Sequence, residues 1–525
     1  MSDCWGFLQN KTNRTTNPSQ ATTLHPKIDN VCFAFYYERV KHKYACLLII
    51  TLLVSFAAMP PAFAEPEIKT LANGLTVFLN PIEGEENVAV VLAFHAGADA
   101  QTAPVAGLFK FLEYALFNGP ATKPGISEPA LAIDVLEPNS IEGGSSIDRF
   151  EFGFSSKKEN LVPALDTLLY LFSQERREFI FAQTDGIEYA RQATRALIQN
   201  ELSDSDMLSN MAITKKLFAK EPYRLDTLGA DYVIEKVDAS QLKSFASLWL
   251  VPNNACIAIA GGFDKEQVLA LVDQRFGQLS KARNPWPAGL ATFPKPGVSR
   301  PVFLVFPDSG IPTGQMEIEI RYRGPDPKDT HAYTSALMLQ ELANAPSSRF
   351  QTAVRKGMPK DSDPENLRIV YTPTRNSSWL AIESMLSVPA GKRPADLVFT
   401  FKELVRSTEL YMIKANASYF PAAEYQKARE SLLEKKMATQ GDPLQSAARM
   451  VTLWSWGIPS FLFQESDAIM KSGQKDISQF VDTYVQKNLE VVMVRIDPNL
   501  YEANKKNFSS YGFETISNQN ALWWR

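Results

Sequence analysis

Two stretches of nearly equal length run through the same order of strand-like and helix-like patterns, which restricts the chain to folds made from two copies of one α+β unit. Between them lies a Pro/Gly-rich segment with no sustained period, covering Pro285, Pro287, Gly289, Pro294, Pro296 and Gly297. The first stretch opens with two β-rich runs at 74–79 and 88–95, then a helix-periodic segment at 105–117. An alternating strand at 149–155, helical segments at 161–172 and 187–218, and a buried strand at 255–260 complete it. The second stretch opens with strands at 302–306 and 315–322, followed by a helix at 331–342. Strands at 368–371 and 379–386, helices after Pro394 and Ala422, and a closing strand at 491–496 come next. The repeat is one of pattern and not of residue identity. A chain of 525 residues is too long for one ordinary core. The expected domains are therefore 65–283 and 301–525, joined by a linker at 284–300.

The N-terminal part reads as a targeting segment. Arg39, Lys41 and Lys43 precede an apolar run at 45–58, and Ala62-Phe63-Ala64 provides an A-x-A cleavage site. The run is shorter than the roughly 20 residues of a spanning helix, so cleavage after Ala64 is expected in place of a membrane anchor. The polar residues 1–39 precede the charged flank of the signal, so the expected start of translation is near Val40. Cys4, Cys32 and Cys46 all lie before the cleavage site, which leaves Cys256 alone and permits neither an internal disulfide nor a cysteine metal cluster. The 54 basic and 58 acidic side chains give a net charge of −4, and the chain after Ala64 carries 48 and 55, net −7. That balance excludes a nucleic-acid footprint and fits an exported, most simply periplasmic, protein without a stable membrane span.

The most specific segment is Gly107-Leu108-Phe109-Lys110-Phe111-Leu112-Glu113-Tyr114-Ala115-Leu116-Phe117-Asn118-Gly119. It resembles the G-L-x-H-F-L-E-H-x-L-F-x-G signature of the pitrilysin/insulinase-type metallopeptidases, the inverzincins with H-x-x-E-H. Asn73-Gly74-Leu75, Ala96-Gly97-Ala98, Glu221-Pro222-Tyr223-Arg224 with Leu228-Gly229, Pro252-Asn253-Asn254 with Gly261, and Ser347-Ser348-Arg349-Phe350 with Arg355 resemble further family segments. The resemblance implies two homologous pitrilysin-like α/β domains forming half of a clamshell, built around peptides and a catalytic zinc.

The motif departs from the family where the metal would sit. Residues i and i+4 share a helix face, and in active members two imidazoles there bind zinc while the Glu at i+3 acts as base. Here Lys110 and Tyr114 occupy those positions, and Glu113 alone is retained. A protonated ammonium has no lone pair, and a neutral phenol with pKa about 10 is a poor ligand. The family's distant carboxylate is matched by Glu201. Beyond the targeting segment only His95 and His331 remain; His95, at an apolar strand end, reads as a structural histidine rather than a relocated ligand. Zinc, the family's cofactor, is accordingly not expected in this chain, and no other cofactor is implied. Without it, bound water keeps a pKa near 15.7 in place of about 7. Glu113 is expected to pair with Lys110 at i,i+3, a contact worth about 0.2–0.5 kcal/mol if exposed.

Two further departures agree. The family's N-A-x-T-like peptide-binding edge is matched by Gly143, Gly144, Ser145 and Ser146 with no orienting Asn, while the strand at 148–155 is expected to pair with an extended peptide. No Arg stands at 378–382, where the family's carbonyl-polarising Arg is expected. Gly261-Gly262 lacks the remainder of a phosphate loop. The expectation is a catalytically inactive peptidase homologue, partnered by an active subunit bearing H-x-x-E-H and handling peptides, with no nucleic acid. Two alternatives stay open: a stand-alone peptide-binding clamshell, and a metallopeptidase with a non-standard site.

Overall fold

The alternation of small and large residues in the strands decides how the layers stack. In the computed structural model, which describes residues 66–118, 141–218, 226–286 and 298–524, twelve strands form two six-stranded sheets. The targeting segment, Gly119, the 221–224 segment and most of the expected linker lie outside the described residues. Sheet one contains β1 (Glu67–Thr70), β2 (Thr76–Pro81), β3 (Asn87–Phe94), β4 (Ile141–Ser145), β5 (Phe150–Lys157) and β6 (Ala255–Gly261), in the order β1-β2-β6-β3-β5-β4. Sheet two contains β7 (Val302–Pro307), β8 (Gln315–Arg323), β9 (Pro364–Thr372), β10 (Trp379–Ser387), β11 (Val491–Ile496) and β12 (Glu514–Thr515), in the order β12-β7-β11-β8-β10-β9.

The two orders are the same fold drawn twice. β2 and β6 pair in parallel, as do β7 and β11, and the next three strands in each sheet pair antiparallel. Only the outer strand differs: β1 enters antiparallel from the start of its half, β12 parallel from the end of the other. Eight of the helices shape the motif face and the contact between the halves. They are α1 (Leu108–Asn118), α2 (Leu161–Phe172), α3 (Thr184–Glu201), α4 (Ser205–Leu217), α5 (Thr330–Asn344), α6 (Ala422–Gly441), α7 (Pro443–Ser455) and α8 (Phe461–Lys471). The single helical run expected at 187–218 is broken into α3 and α4, because the Asp204 carboxylate accepts from the backbone N–H groups of Asp206 and Met207 and starts a new helix.

Successive strand residues face opposite sides. In β3, Val88, Val90, Leu92 and Phe94 join Ile257 and Ile259 of β6 in the core under α1 and α2. The opposite face carries Ala89, Val91 and Ala93 with Cys256, Ala258 and Ala260, and these belong to the core of the other half. Side chains this small let α7 lie directly on sheet one through Ala447, Met450 and Val451. A polar contact fixes its height: Asn80 Nδ2 donates to Ser446 Oγ at 2.8 Å.

The loan is reciprocal. α4, from the first half, lies on β7, β8 and β11, and Leu304, Phe306, Val491 and Met493 join the first half's core. Arg321 Nη1 donates to Asn210 Oδ1 at 2.8 Å, and Ser205 Oγ to Asp308 Oδ1 at 2.9 Å. The last described residues return as well: Ala521, Leu522 and Trp523 are buried in the first core, with Trp523 Nε1 2.9 Å from Asp226 Oδ2. The cores therefore do not divide where the chain does, and the described residues lie in one compact unit.

Exchange on this scale makes one folding unit. The full chain is expected to unfold in urea as a single transition, and a fragment ending at residue 286 to remain expanded, because it lacks α7. Ala258→Leu, which forces extra volume under α7, is expected to destabilise by about 1–3 kcal/mol. Two separate transitions, or a cooperatively folded fragment, would contradict the exchange.

Candidate functional site

Gly107 sets where α1 begins. Its φ is +93°, and a Cβ there would lie 2.5 Å from the Leu228 carbonyl oxygen, so only glycine lets the 228–229 turn close on the helix start. From that start, Leu108, Phe109, Phe111, Leu112, Ala115 and Leu116 are buried, which leaves Lys110, Glu113 and Tyr114 on the less covered side. These three residues are thus presented on one face as the helical period requires.

On that face Lys110 Nζ lies 2.7 Å from Glu113 Oε2, with the two side chains 15% and 20% exposed. The same oxygen accepts from the Ser145 backbone N–H at 2.8 Å and from Ser145 Oγ at 3.3 Å. Gly144 makes this approach possible: its φ is +126°, and a Cβ there would sit 2.7 Å from Glu113 Oε2. The carboxylate thus lies flat against β4, with an ammonium on one side and the strand on the other.

Among the described residues β4 is the outer strand of sheet one, paired only with β5. The strand at 148–155, expected to receive a peptide, is β5 and is paired on both sides by β3 and β4, so the open edge belongs to β4. Ser146 N–H points inward to the Arg149 carbonyl, and since N–H groups alternate along a strand, Ser145 N–H points outward. Glu113 therefore takes the very N–H that an added strand would use. Of the four peptide-binding candidates, Gly143 and Gly144 lie on the edge, Ser145 is held by Glu113, and Ser146 closes the turn, its Oγ donating to the Arg149 carbonyl at 3.0 Å.

Tyr114 is pushed above the usual tyrosine range by burial, then by the negative charge of Glu113. Its phenol therefore stays neutral and a weak ligand. Glu201 ends α3. α3 packs along α1, with the Arg191 guanidinium 5.3 Å from the Phe111 ring centre and Tyr189 adding to the shift of Tyr114. Lys110, Glu113 and Tyr114 share one face of α1. These donors do not fit a zinc ion: one is an ammonium, one a neutral phenol, and the retained carboxylate is already engaged. Among the described residues no group of three or more His, Cys, Asp or Glu side chains could hold a metal.

His95 belongs to a different device. Its ring stacks on Trp454 with centroids 3.4 Å apart, and Nε2 lies 3.0 Å from the Trp454 carbonyl oxygen, to which it donates. Burial, reinforced by the positive charge of Arg375, pushes its pKa down to about 3, so the imidazole is neutral. His331 lies in the other half, its Nε2 3.0 Å from Asp476 Oδ1.

Arg375 was not legible in the pattern. It stands three residues before the stretch where an Arg was expected, in the turn between β9 and β10, and is 1% exposed. Its guanidinium is held by both oxygens of Asp99, Nε at 3.0 Å, and its backbone N–H donates to Asp148 Oδ2 at 3.0 Å. Asn376 Nδ2 reaches Asp99 at 3.1 Å, and Trp456 Nε1 reaches Asp148 at 2.8 Å. Burial raises the Asp99 carboxyl to about 6, against the opposing pull of Arg375 and Asn376. Arg375 thus joins the two halves and is not free to polarise a substrate carbonyl.

Comparison with known proteins agrees with this fold. Residues 236–432 match the family described as the peptidase M16 inactive domain. An uncharacterized zinc protease of Mycobacterium bovis is 25% identical over 303 residues, 57% of this chain and 66% of that protein, so the chain spans just under two thirds of that relative. The peptidase M16 inactive domain of Pseudomonas fluorescens superposes with a TM-score of 0.66 at 15% identity, covering 83% of this chain and 98% of that one. The first half of the periplasmic protease PqqL of Escherichia coli gives 0.61 at 16% identity, covering 88% and 96%. Against the longer PqqL structure the same match covers 52% of that chain.

Arg375→Ala strands the buried Asp99 carboxylate, while Asp148 keeps the backbone N–H of residue 375, and is expected to cost about 3–5 kcal/mol in urea unfolding; a loss below about 1 kcal/mol would show the pair to be incidental. The double variant Lys110→His/Tyr114→His is expected to gain no tightly bound zinc by isothermal titration, because a tight site needs a third protein ligand and no group of three or more His, Cys, Asp or Glu side chains is gathered among the described residues. Stoichiometric zinc in that variant would show that another carboxylate can reach the site.

Proposed function

Because the chain belongs to the pitrilysin/insulinase-type (M16) peptidase family and has the fold of one clamshell half, we propose that it is an exported, catalytically inactive member that supplies the non-catalytic half of a peptide-handling chamber. The observation that carries this reading is the Glu113 carboxylate, held on one oxygen by Lys110 and by Ser145. The group that would act as base is spent on a structural contact. An ammonium stands beside it as the resident cation.

Export is supported by the signal-like segment ending at Ala64 and by the periplasmic setting named for PqqL. A partner bearing H-x-x-E-H would complete the chamber, and peptides are the class of substrate that the family's architecture encloses. The edge of β4, which pairs with no second strand among the described residues, also favours a second reading, a stand-alone peptide-binding clamshell, with an extended peptide added beside Gly143.

The two readings separate on purification from the native cell. The first expects an affinity-tagged chain to carry with it a second chain bearing H-x-x-E-H, with peptide cleavage by the pair abolished by a chelator and none by the purified chain alone. A monodisperse monomer that binds peptides regardless of chelator favours the second reading. Chelator-sensitive hydrolysis by the isolated chain, lost in Glu113→Gln, would overturn both.

A further inference from the structure

Four helices of the second half, α5, α6, α7 and α8, surround a cavity of about 220 Å³ that takes no part in the Lys110–Glu113 site. Its walls are apolar where Leu337, Leu432, Leu462 and Ile469 meet. Its floor is polar: Arg449 Nη2 lies 3.2 Å from the Tyr333 hydroxyl and pairs with Glu465. Lys435 and Lys436 stand beside it on successive residues of α6.

The charges on this lining do not balance. Arg449 is matched by Glu465, and Lys435 by Glu341 at 2.6 Å. Lys436 donates to a neutral acceptor, Ser466 Oγ, at 2.6 Å, and no ion pair to it is present among the described residues. Burial and the neighbouring Arg449 hold its ammonium below the usual lysine range, opposed by Glu465 and Asp467. One partly desolvated positive charge therefore faces an apolar-walled space beside a guanidinium. A desolvated charge of this kind is stabilised by an opposite one.

We propose that this cavity binds a small amphipathic anion: a carboxylate held between Lys436 Nζ and the Arg449 guanidinium, with a short hydrocarbon chain against Leu337, Leu432, Leu462 and Ile469. At about 30 Å³ per water-sized group the space holds roughly seven or eight heavy atoms, the size of hexanoate. The carboxylate can be that of a free short-chain acid or of a peptide ending in an apolar residue. This site is independent of the peptidase reading, since it shares no residue with α1 or β4.

The probe is hexanoate, titrated by calorimetry into the full chain at neutral pH, with hexanol and hexylamine as the neutral and cationic counterparts. Saturable binding of hexanoate alone is expected, weakened about tenfold or more by Lys436→Met and kept by Lys436→Arg. N-acetyl-leucine against its amide tests the peptide source, and binding of the acid but not the amide supports the same site. Lys436→Met is judged folded by an unchanged urea midpoint; Leu432→Glu, which puts a negative charge in the wall, gives a second variant expected to abolish binding. No heat from hexanoate or N-acetyl-leucine at millimolar concentration, equal binding of hexanol, or full affinity in Lys436→Met would overturn the proposal.

Discussion

An arginine buried with its guanidinium on the Asp99 carboxylate and its backbone N–H on Asp148 holds the two halves together. Arg375 belongs to the second half, Asp99 and Asp148 to the first, and the chain between Asp99 and Arg375 spans 276 positions. Removing these charges from water costs several kcal/mol per ion, and the cost is met only where every donor finds an acceptor. Here Asp99 takes two guanidinium donors and the Asn376 amide, and Asp148 takes the Arg375 backbone N–H and the Trp456 indole. The Trp286 ring stands 5.1 Å from the guanidinium, and the Trp286 indole N–H donates to the His95 carbonyl. A network with this many buried contacts across the halves favours one relative placement of the two sheets.

That placement lets the halves exchange helices. α7 covers the small-residue face of sheet one and α4 covers part of sheet two. The exchange explains why one face of β3 and β6 has alanine and cysteine where the other has valine, leucine and isoleucine. A helix axis near a sheet needs short side chains beneath it, and the bulky face is already filled by helices of its own half. His95 and Trp454 meet at this seam, and burial, reinforced by the Arg375 charge, keeps the imidazole neutral.

The motif helix is fixed by Gly107 against the 228–229 turn and by the packing of Phe111 under Arg191. On its open face the Lys110 ammonium lies beside the Glu113 carboxylate. The same carboxylate caps the outward N–H of Ser145, so this contact shortens the edge of β4 available to an extended peptide.

The residues alone determined everything set by local period. The alternation in β3 and β6, the apolar stripe of α1, the doubled order of elements and the meeting of Lys110 with Glu113 all arise from spacings of two, three or four residues, which are fixed by strand and helix geometry. The pattern stopped short where a contact crosses the chain. It placed the receiving edge on β5, although pairing puts β3 and β4 on either side of it. It gave no sign that Arg375 would find Asp99, or that α7 would leave its own half to cover the other. Such partners are chosen by packing and desolvation among residues hundreds of positions apart, and no repeat in the sequence encodes which turn of one helix will lie against which strand of the other half.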